Sequence, residues 1–145
     1  MGPALAAAEG TRRLITLDTS GFLALADLRS RDHVRVLDAF DADPGPHVVP
    51  AAILGEIDHL LERESGTPAV TAFLLDLADG LYELDCGEND LARAASLAQR
   101  YESLSLGLVD AMVASCAHRR GGRVLTLDRR HFDVVGRELG LEILP

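Results

Sequence analysis

Near its start the chain carries Leu14-Ile15-Thr16-Leu17-Asp18-Thr19-Ser20, an apolar run that ends on a carboxylate and two hydroxyls. A short branched apolar run of this kind predicts a central strand that is buried on both faces. The following residues, 21–26, predict a helix with Thr19 or Ser20 as its N-cap. Asp18 is therefore expected at the carboxyl end of a central strand, which is the edge where open α/β sheets bind ligands.

Strand-like and helix-like segments alternate along the rest of the chain. Further strands are predicted at residues 47–50, 81–84, 123–127 and 141–144. Further helices are predicted at residues 32–40, 51–64, 69–78, 88–101 and 108–118. The last of these is rich in small apolar residues, and we expect it to be buried against the sheet. The alternation predicts an α/β fold with a central, mostly parallel sheet of four or five strands wrapped by helices.

The length of 145 residues fits one domain. Residues 1–12 are Ala-rich and predict a disordered or loosely packed leader, so the folded domain is expected to span 13–145. The leader is too short and too poor in basic residues for a signal peptide. No apolar run reaches the length of a membrane span, which is about 18 residues. We therefore expect a cytoplasmic protein.

The charge balance limits the kinds of partner. The net charge is −9, and all 14 basic residues are arginine. An acidic protein is a poor candidate for coating nucleic acid non-specifically, although a nuclease with a local arginine patch remains compatible with this composition. Cys86 and Cys116 lack metal-ligand spacing, so we interpret them as reduced thiols.

Four acidic residues fall at similar junctions between predicted strands and helices: Asp18, Glu56, Asp110 and Asp128. Asp18 and Asp128 end matching runs, Ile-Thr-Leu-Asp and Leu-Thr-Leu-Asp. Glu56 and Asp110 lie near the starts of two helices that open toward the same sheet edge. Turn formation could explain an aspartate at a strand end, and helix capping could explain Asp110. The shared topological position of all four favours one common site.

A cluster of carboxylates with no lysine nearby suits a hard cation. Mg²⁺ and Mn²⁺ prefer oxygen ligands and retain several waters. Such a cation can bind a phosphodiester and activate water for in-line attack. The sequence therefore predicts a Mg²⁺ or Mn²⁺ site that hydrolyses phosphodiesters, with direct binding at Asp18 and Asp110 and with Glu56 and Asp128 close by.

Four segments together carry a family resemblance, and they are Leu17–Ser20, Val49–Glu56, Leu108–Ala114 and Leu125–Phe132. In this order the segments resemble PIN-domain ribonucleases of the VapC type, the toxins of bacterial VapBC toxin–antitoxin pairs. The resemblance implies a PIN-like domain over 13–145 and a Mg²⁺- or Mn²⁺-dependent endoribonuclease. It also implies a homodimer that a cognate VapB-type antitoxin inhibits by inserting into the site.

Matched position by position, the resemblance implies that Asp18, Glu56, Asp110 and Asp128 are the catalytic and metal-binding acids. Ser20 matches a hydroxyl position beside the first acid. Asp133 is a candidate to supplement the metal site, with a solvent-facing role as the alternative.

The densest basic segment contains Arg119, Arg120, Arg123, Arg129 and Arg130. Helix C-capping is an alternative explanation for the first pair, and a solvated surface is one for the others. We favour contact with RNA phosphate for Arg129 or Arg130, because the planar guanidinium suits phosphate.

Several other functions stay open from sequence alone. A housekeeping PIN-domain RNA-processing nuclease, a DNA-directed nuclease and a non-catalytic PIN-fold binding module would share this pattern. A phosphoryl-accepting receiver domain is disfavoured, because its chemistry relies on a lysine. His131 is the one histidine at an acid junction, so a two-histidine mechanism is poorly supplied. We therefore predict hydrolysis that leaves a 5′-phosphate and a 3′-hydroxyl.

Overall fold

The computed structural model describes residues 12–145, so the predicted leader over 1–12 lies outside the described residues except for Arg12. In this range one sheet contains five strands, all parallel, in the order β3-β2-β1-β4-β5. The strands are β1 (Ile15–Leu17), β2 (His47–Pro50), β3 (Tyr82–Asp85), β4 (Arg123–Leu125) and β5 (Glu142–Leu144). The predicted fold class is confirmed.

Seven α-helices cover this sheet within residues 12–145. They are α1 (Thr19–Ala26), α2 (His33–Asp41), α3 (Leu54–Ser65), α4 (Thr67–Ala78), α5 (Leu91–Arg100), α6 (Leu108–Arg119) and α7 (Arg129–Leu139). Short 3-10 turns precede α3, α5 and α6, at Ala51–Ile53, Glu88–Asp90 and Glu102–Leu104. Within residues 12–145 no helix has both the length and the apolar character that crossing a membrane requires.

The opening run forms the central strand, as predicted. β1 lies between β2 and β4, with Thr16 opposite Val48 and Leu17 opposite Leu125. Ile15 is fully buried, which is expected for a strand covered on both faces. Helix α6 is also buried as predicted, since six of its residues lie in the interior.

The start of α1 differs from the sequence prediction. The helix begins at Thr19, and Asp18 occupies the N-cap position, so the assignment of Thr19 or Ser20 as the cap is wrong. Both hydroxyls have other partners: Thr19 donates to Glu56, and Ser20 donates to Asp18. A Cβ at Gly21 would lie 2.3 Å from the Leu125 carbonyl oxygen. The glycine therefore allows α1 to pass close to the end of β4.

Helix α7 was not predicted from sequence. Its interior face consists of Phe132, Val135 and Gly136, while arginines and acids cover the rest. The apolar face is too narrow to stand out in a charged segment, although the spacing of three and four residues is helical. The strand before it is two residues shorter than predicted, because the chain turns at Thr126, whose hydroxyl accepts a bond from the Asp128 amide.

Candidate active site

The four acids, which we call the acid cluster (Asp18, Glu56, Asp110 and Asp128), lie where the topology places them. Asp18 directly follows β1, and Asp128 follows the neighbouring strand β4 and forms the N-cap of α7. Glu56 and Asp110 lie in the first turns of α3 and α6. Parallel neighbouring strands end at the same sheet edge, so these residues face a common site.

Asp18 is the most buried of the four, with 5% of its surface exposed. Its Oδ2 accepts a hydrogen bond of 2.7 Å from Thr126 Oγ1 and one of 3.2 Å from Ser20 Oγ. Burial raises the pKa of Asp18, and the bonds from Thr126 and Ser20 offset only part of this rise. The hydroxyls therefore both orient the carboxylate and stabilise its charged form.

Thr126 connects two members of the acid cluster. Its hydroxyl donates to Asp18 and accepts a 3.0 Å hydrogen bond from the Asp128 amide. Ser20 supports the same junction, because its oxygen accepts a 2.9 Å bond from the Leu127 amide. The repeated Thr-Leu-Asp pattern gave a signal for Thr126, but the equivalent Thr16 hydroxyl approaches the Cys116 thiol and bonds to no acid of the cluster in the described residues. The pattern alone could not identify the threonine that serves the site.

Glu56 and Asp110 complete the cluster. Glu56 Oε1 accepts a 3.3 Å hydrogen bond from Thr19 Oγ1, which ties α3 to α1. The pKa of Asp110 is raised to about 6, first by burial and then by the negative charges of Asp18, Asp128 and Glu56, against a lowering by His131. Asp18, Asp128 and Glu56 therefore all lie within electrostatic reach of Asp110.

His131 belongs to the site, although the sequence analysis noted it only as the histidine at an acid junction and did not select it as a site residue. Its Nδ1 lies 2.8 Å from Asp128 Oδ2 and 3.5 Å from Asp110 Oδ2, and its Nε2 lies 3.0 Å from the Leu104 carbonyl. Because ionised carboxylate and carbonyl oxygens accept hydrogen bonds, this arrangement favours the protonated ring, in which both nitrogens donate. The hydrogen bond to Asp128 is the main cause of its raised pKa.

The donor atoms of the acid cluster suit a hard cation. Ligand atoms of Asp110, Asp128 and His131 lie within 4.8 Å of one another, whereas Asp18 and Glu56 are not part of this close group in the described residues. Beyond the effect of burial, the negative charges of Asp18, Asp128 and Glu56 also raise the pKa of Asp110, so these carboxylates repel it when no cation compensates them. Mg²⁺ and Mn²⁺ would relieve this repulsion and prefer oxygen donors. His131 is a poor ligand while it is protonated.

A second acidic group lies at the end of β3 and does not suit a cation. Arg119 contacts Asp85 Oδ1 at 2.6 Å and Asp90 Oδ1 at 2.7 Å, so an arginine already compensates both carboxylates. Burial raises the pKa of neighbouring Cys116 to about 12, so its thiol stays protonated. Cys86 and Cys116 are both free thiols.

The basic segment divides into structural pairs and one unpaired residue. Arg119 and Arg120 bind acids of the β3 end, and Arg123 contacts Asp43 Oδ2 at 2.6 Å, so these three stabilise the fold. Arg129 forms an ion pair of 3.0 Å with Asp133, which engages the carboxylate that was a candidate for the metal site. Exposed Arg130 has no ion-pair partner within residues 12–145.

Comparison with known proteins adds to this geometry. The family model described as PIN domain matches residues 15–138. Ribonuclease VapC26 of Mycobacterium tuberculosis is 36% identical over 121 residues, which cover 82% of this chain and 90% of the relative.

Two solved structures share the fold at low sequence identity. One is Mycobacterium tuberculosis VapC20, described as a sarcin-ricin loop cleaving toxin, with a TM-score of 0.73, 21% identity and coverage of 84% of this chain and 95% of that chain. The other is FitAcB from Neisseria gonorrhoeae, with a TM-score of 0.65, 15% identity and coverage of 91% and 97%.

Proposed function

The chain belongs to the PIN domain family and, within it, to the VapC ribonucleases, and on that premise we propose that its acid cluster hydrolyses RNA with a bound Mg²⁺ or Mn²⁺. It is an RNA-cleaving toxin of the toxin–antitoxin type. The observation that carries the proposed cation dependence is the convergence of Asp18, Glu56 and Asp128 on Asp110, whose pKa is raised to about 6 first by burial and then by these three negative charges.

The residues of the acid cluster and its neighbours have different proposed roles. When bound, the cation would supply a water of lowered pKa and neutralise charge on the phosphodiester. Asp18 and Asp110 would hold it, with Glu56 and Asp128 beside them. Thr126 and Ser20 orient Asp18 through hydrogen bonds to Oδ2.

The proposed products are a 5′-phosphate and a 3′-hydroxyl. A cyclic-phosphate mechanism needs one group that removes the 2′-hydroxyl proton and another that protonates the leaving oxygen. His131 is the histidine at the acid cluster, and both of its ring nitrogens already contact acceptors. In the protonated form that this arrangement favours, the ring has no free lone pair with which to act as that base.

Arg130 is the favoured contact for RNA phosphate. It directly follows the start of α7 beside Asp128, and it is exposed without an ion-pair partner within residues 12–145. Arg129 is less available, because its guanidinium is paired with Asp133.

The proposed partners are a cognate VapB-type antitoxin and a second copy of the chain. An antitoxin arginine could pair with the exposed acids and compete with the cation. Helix α4 exposes Leu74 and Leu75, each with 57% of its surface accessible, which supports an interface on this face. Sedimentation at micromolar concentration should give a dimer, and a monomer would contradict the proposal. The proposed location is the cytoplasm.

The experiment compares Asp18→Asn with Asp58→Asn, a matched change of an exposed acid on α3. The purified variants are incubated with RNA and with single-stranded DNA in Mg²⁺, in Mn²⁺ and in excess EDTA, and the product ends are mapped. We expect RNA cleavage by the wild type and by Asp58→Asn with 5′-phosphate ends, and none by Asp18→Asn or in EDTA. Full activity in EDTA, or cyclic-phosphate ends, would contradict the mechanism.

A further inference from the structure

The ring of His131 joins the acid cluster to the 101–107 segment, which connects α5 to α6. On one side, Nδ1 is 2.8 Å from Asp128 Oδ2 and 3.5 Å from Asp110 Oδ2. On the other side, Nε2 is 3.0 Å from the Leu104 carbonyl oxygen. One side chain of α7 therefore contacts two acids and the connection that leads into the helix carrying Asp110.

The 101–107 segment depends on α7 for its position. Its backbone turns through a left-handed residue, Ser105, with φ of 58°. Besides the His131 bond to Leu104, α7 contributes Glu138, whose Oε1 accepts a 3.0 Å hydrogen bond from the Tyr101 hydroxyl. These two contacts hold the front and the middle of the segment that precedes Asp110.

His131 also sets the orientation of Asp128. Asp128 Oδ1 accepts a 3.2 Å hydrogen bond from the His131 amide, while Oδ2 contacts the His131 ring. Both oxygens of this acid are therefore directed by one residue, three positions further along α7.

We propose that His131 is a positioning residue, which fixes Asp128 and the segment leading to Asp110 in the arrangement that binds the divalent cation. This inference rests on the cation dependence proposed above. Hydrogen-bond partners of metal-binding side chains typically contribute a factor of about 10 to 100 in metal affinity. His131 occupies such a place for Asp128, and its bond to Leu104 extends the same control toward Asp110.

His118 provides a matched comparison. It is also a half-buried histidine that contacts a backbone carbonyl, with Nδ1 3.2 Å from the Leu139 oxygen. It joins the ends of α6 and α7 and has no contact with the acid cluster within the described residues. If His131 only stabilised the fold through its carbonyl contact, replacing either histidine would therefore change cation binding to the same extent.

The test measures Mn²⁺ binding to the full chain by calorimetry, and by the spin-resonance signal of the bound ion. We expect His131→Ala to bind Mn²⁺ about tenfold more weakly than the wild type. His118→Ala should bind within about twofold of the wild type, because its carbonyl contact lies outside the acid cluster.

Two further variants separate the two bonds of the ring. In His131→Asn the amide nitrogen can replace Nδ1 toward Asp128 but does not reach Leu104, and in His131→Gln the reverse holds. We expect intermediate affinity for both, with faster hydrogen exchange over 101–107 in His131→Asn only. These variants also decide the matter if His131→Ala does not fold.

The outcomes distinguish this inference from the proposed function. No Mn²⁺ binding by the wild type would contradict the cation-dependent function itself. Wild-type binding together with equal or tighter binding by folded His131→Ala would overturn only the positioning role. If His131→Ala does not fold, wild-type affinity in both amide variants would overturn it. An equal loss in His118→Ala would do the same, because the effect would then be general to the fold.

Discussion

Thr126 Oγ1 donates a 2.7 Å hydrogen bond to Asp18 Oδ2, which ties the end of β4 to the acid at the end of β1. Thr126 is 1% exposed and also accepts from the Asp128 amide, so one hydroxyl links two acids of the cluster. The position of the most buried carboxylate therefore depends on a neutral neighbour as well as on its own strand.

The first prediction concerns Thr126→Val. This nearly isosteric change removes the bond to Asp18, so we expect RNA cleavage to fall by a factor of about 10 to 100. The loss of a buried hydrogen bond should also lower the free energy of unfolding by about 1 to 2 kcal/mol. Initial cleavage rates and thermal unfolding measure the two effects.

Thr16→Val is the control for this change. Thr16 is fully buried on β1, and its hydroxyl approaches the Cys116 thiol and bonds to no acid of the cluster in the described residues. We expect activity and stability close to those of the wild type. Equal activity in Thr126→Val and Thr16→Val would contradict a role for Thr126.

The second prediction is that Asp110→Asn stabilises the cation-free protein. The folded state raises the pKa of Asp110 to about 6, above its ordinary value of 3.8, so the folded state binds more protons between these values. Wild-type stability therefore falls as the pH rises through this window, and the loss is complete above about pH 6. At pH 7.5 in EDTA, the melting temperature of Asp110→Asn should be a few degrees higher.

Added Mg²⁺ gives the complementary measurement. Binding to the folded state should raise the wild-type melting temperature, and Asp110→Asn should lose most of this increase. A variant that is less stable in EDTA at pH 7.5, or that retains the full Mg²⁺ effect, would contradict the electrostatic account of the cluster.

The third prediction concerns Arg119. Burial alone would raise the pKa of Asp85, but hydrogen bonds and charge from Arg119 hold it below its usual value. Arg119→Met would leave the buried Asp90 carboxylate without its arginine and Asp85 with Arg120 alone, at a cost on the order of 3 kcal/mol in unfolding free energy. Chemical denaturation at pH 7 measures this loss.

The ion pair between Arg119 and Asp85 also predicts that the stability of the fold decreases at acid pH. The pKa of Asp85 is lower in the folded state than in the unfolded state. The ion pair therefore stabilises the fold fully above the pKa of the unfolded state, and this stability is lost as the pH falls through the pKa of the folded state. The wild type should therefore lose stability below about pH 4, and Arg119→Met should lose less of it there. Parallel pH profiles for the two proteins would show that the Arg119–Asp85 pair does not supply this stability.

The fourth prediction is that Arg130→Ala weakens RNA binding more than Arg129→Ala. Arg129 is engaged by Asp133, whereas Arg130 has no ion-pair partner within residues 12–145. Loss of one phosphate contact to single-stranded RNA should reduce the steepness of the plot of log affinity against log salt concentration by about 0.7. Binding to RNA at several salt concentrations measures it, and an unchanged slope in Arg130→Ala would exclude this contact.

The sequence predicted those parts of the site that depend on topology. A parallel sheet places residues after β1 and β4 at one edge, so Asp18 and Asp128 could be assigned to a common site before any coordinates. The buried helix around Asp110 followed from its composition. The supporting contacts could not be predicted in the same way, because they depend on side-chain directions across elements distant in sequence.

His131 shows this limit most clearly. Its partner Leu104 lies 27 positions away and offers only a backbone carbonyl, which leaves no trace in residue type. The same holds for the arginines, since their pairing with Asp85, Asp90 and Asp43 depends on packing between elements that are distant in sequence. Because α7 was not predicted, the sequence analysis also did not place Asp128 and His131 on one helical turn.

The most direct test of the central claim is a crystal structure of the protein soaked in Mn²⁺, with an anomalous difference map collected at the manganese edge. We predict a peak between the carboxylates of Asp18 and Asp110, with Glu56 and Asp128 close by, and no such peak in crystals of Asp18→Asn. A map without a peak at the acid cluster of the wild type, or with manganese bound only elsewhere, would contradict the account.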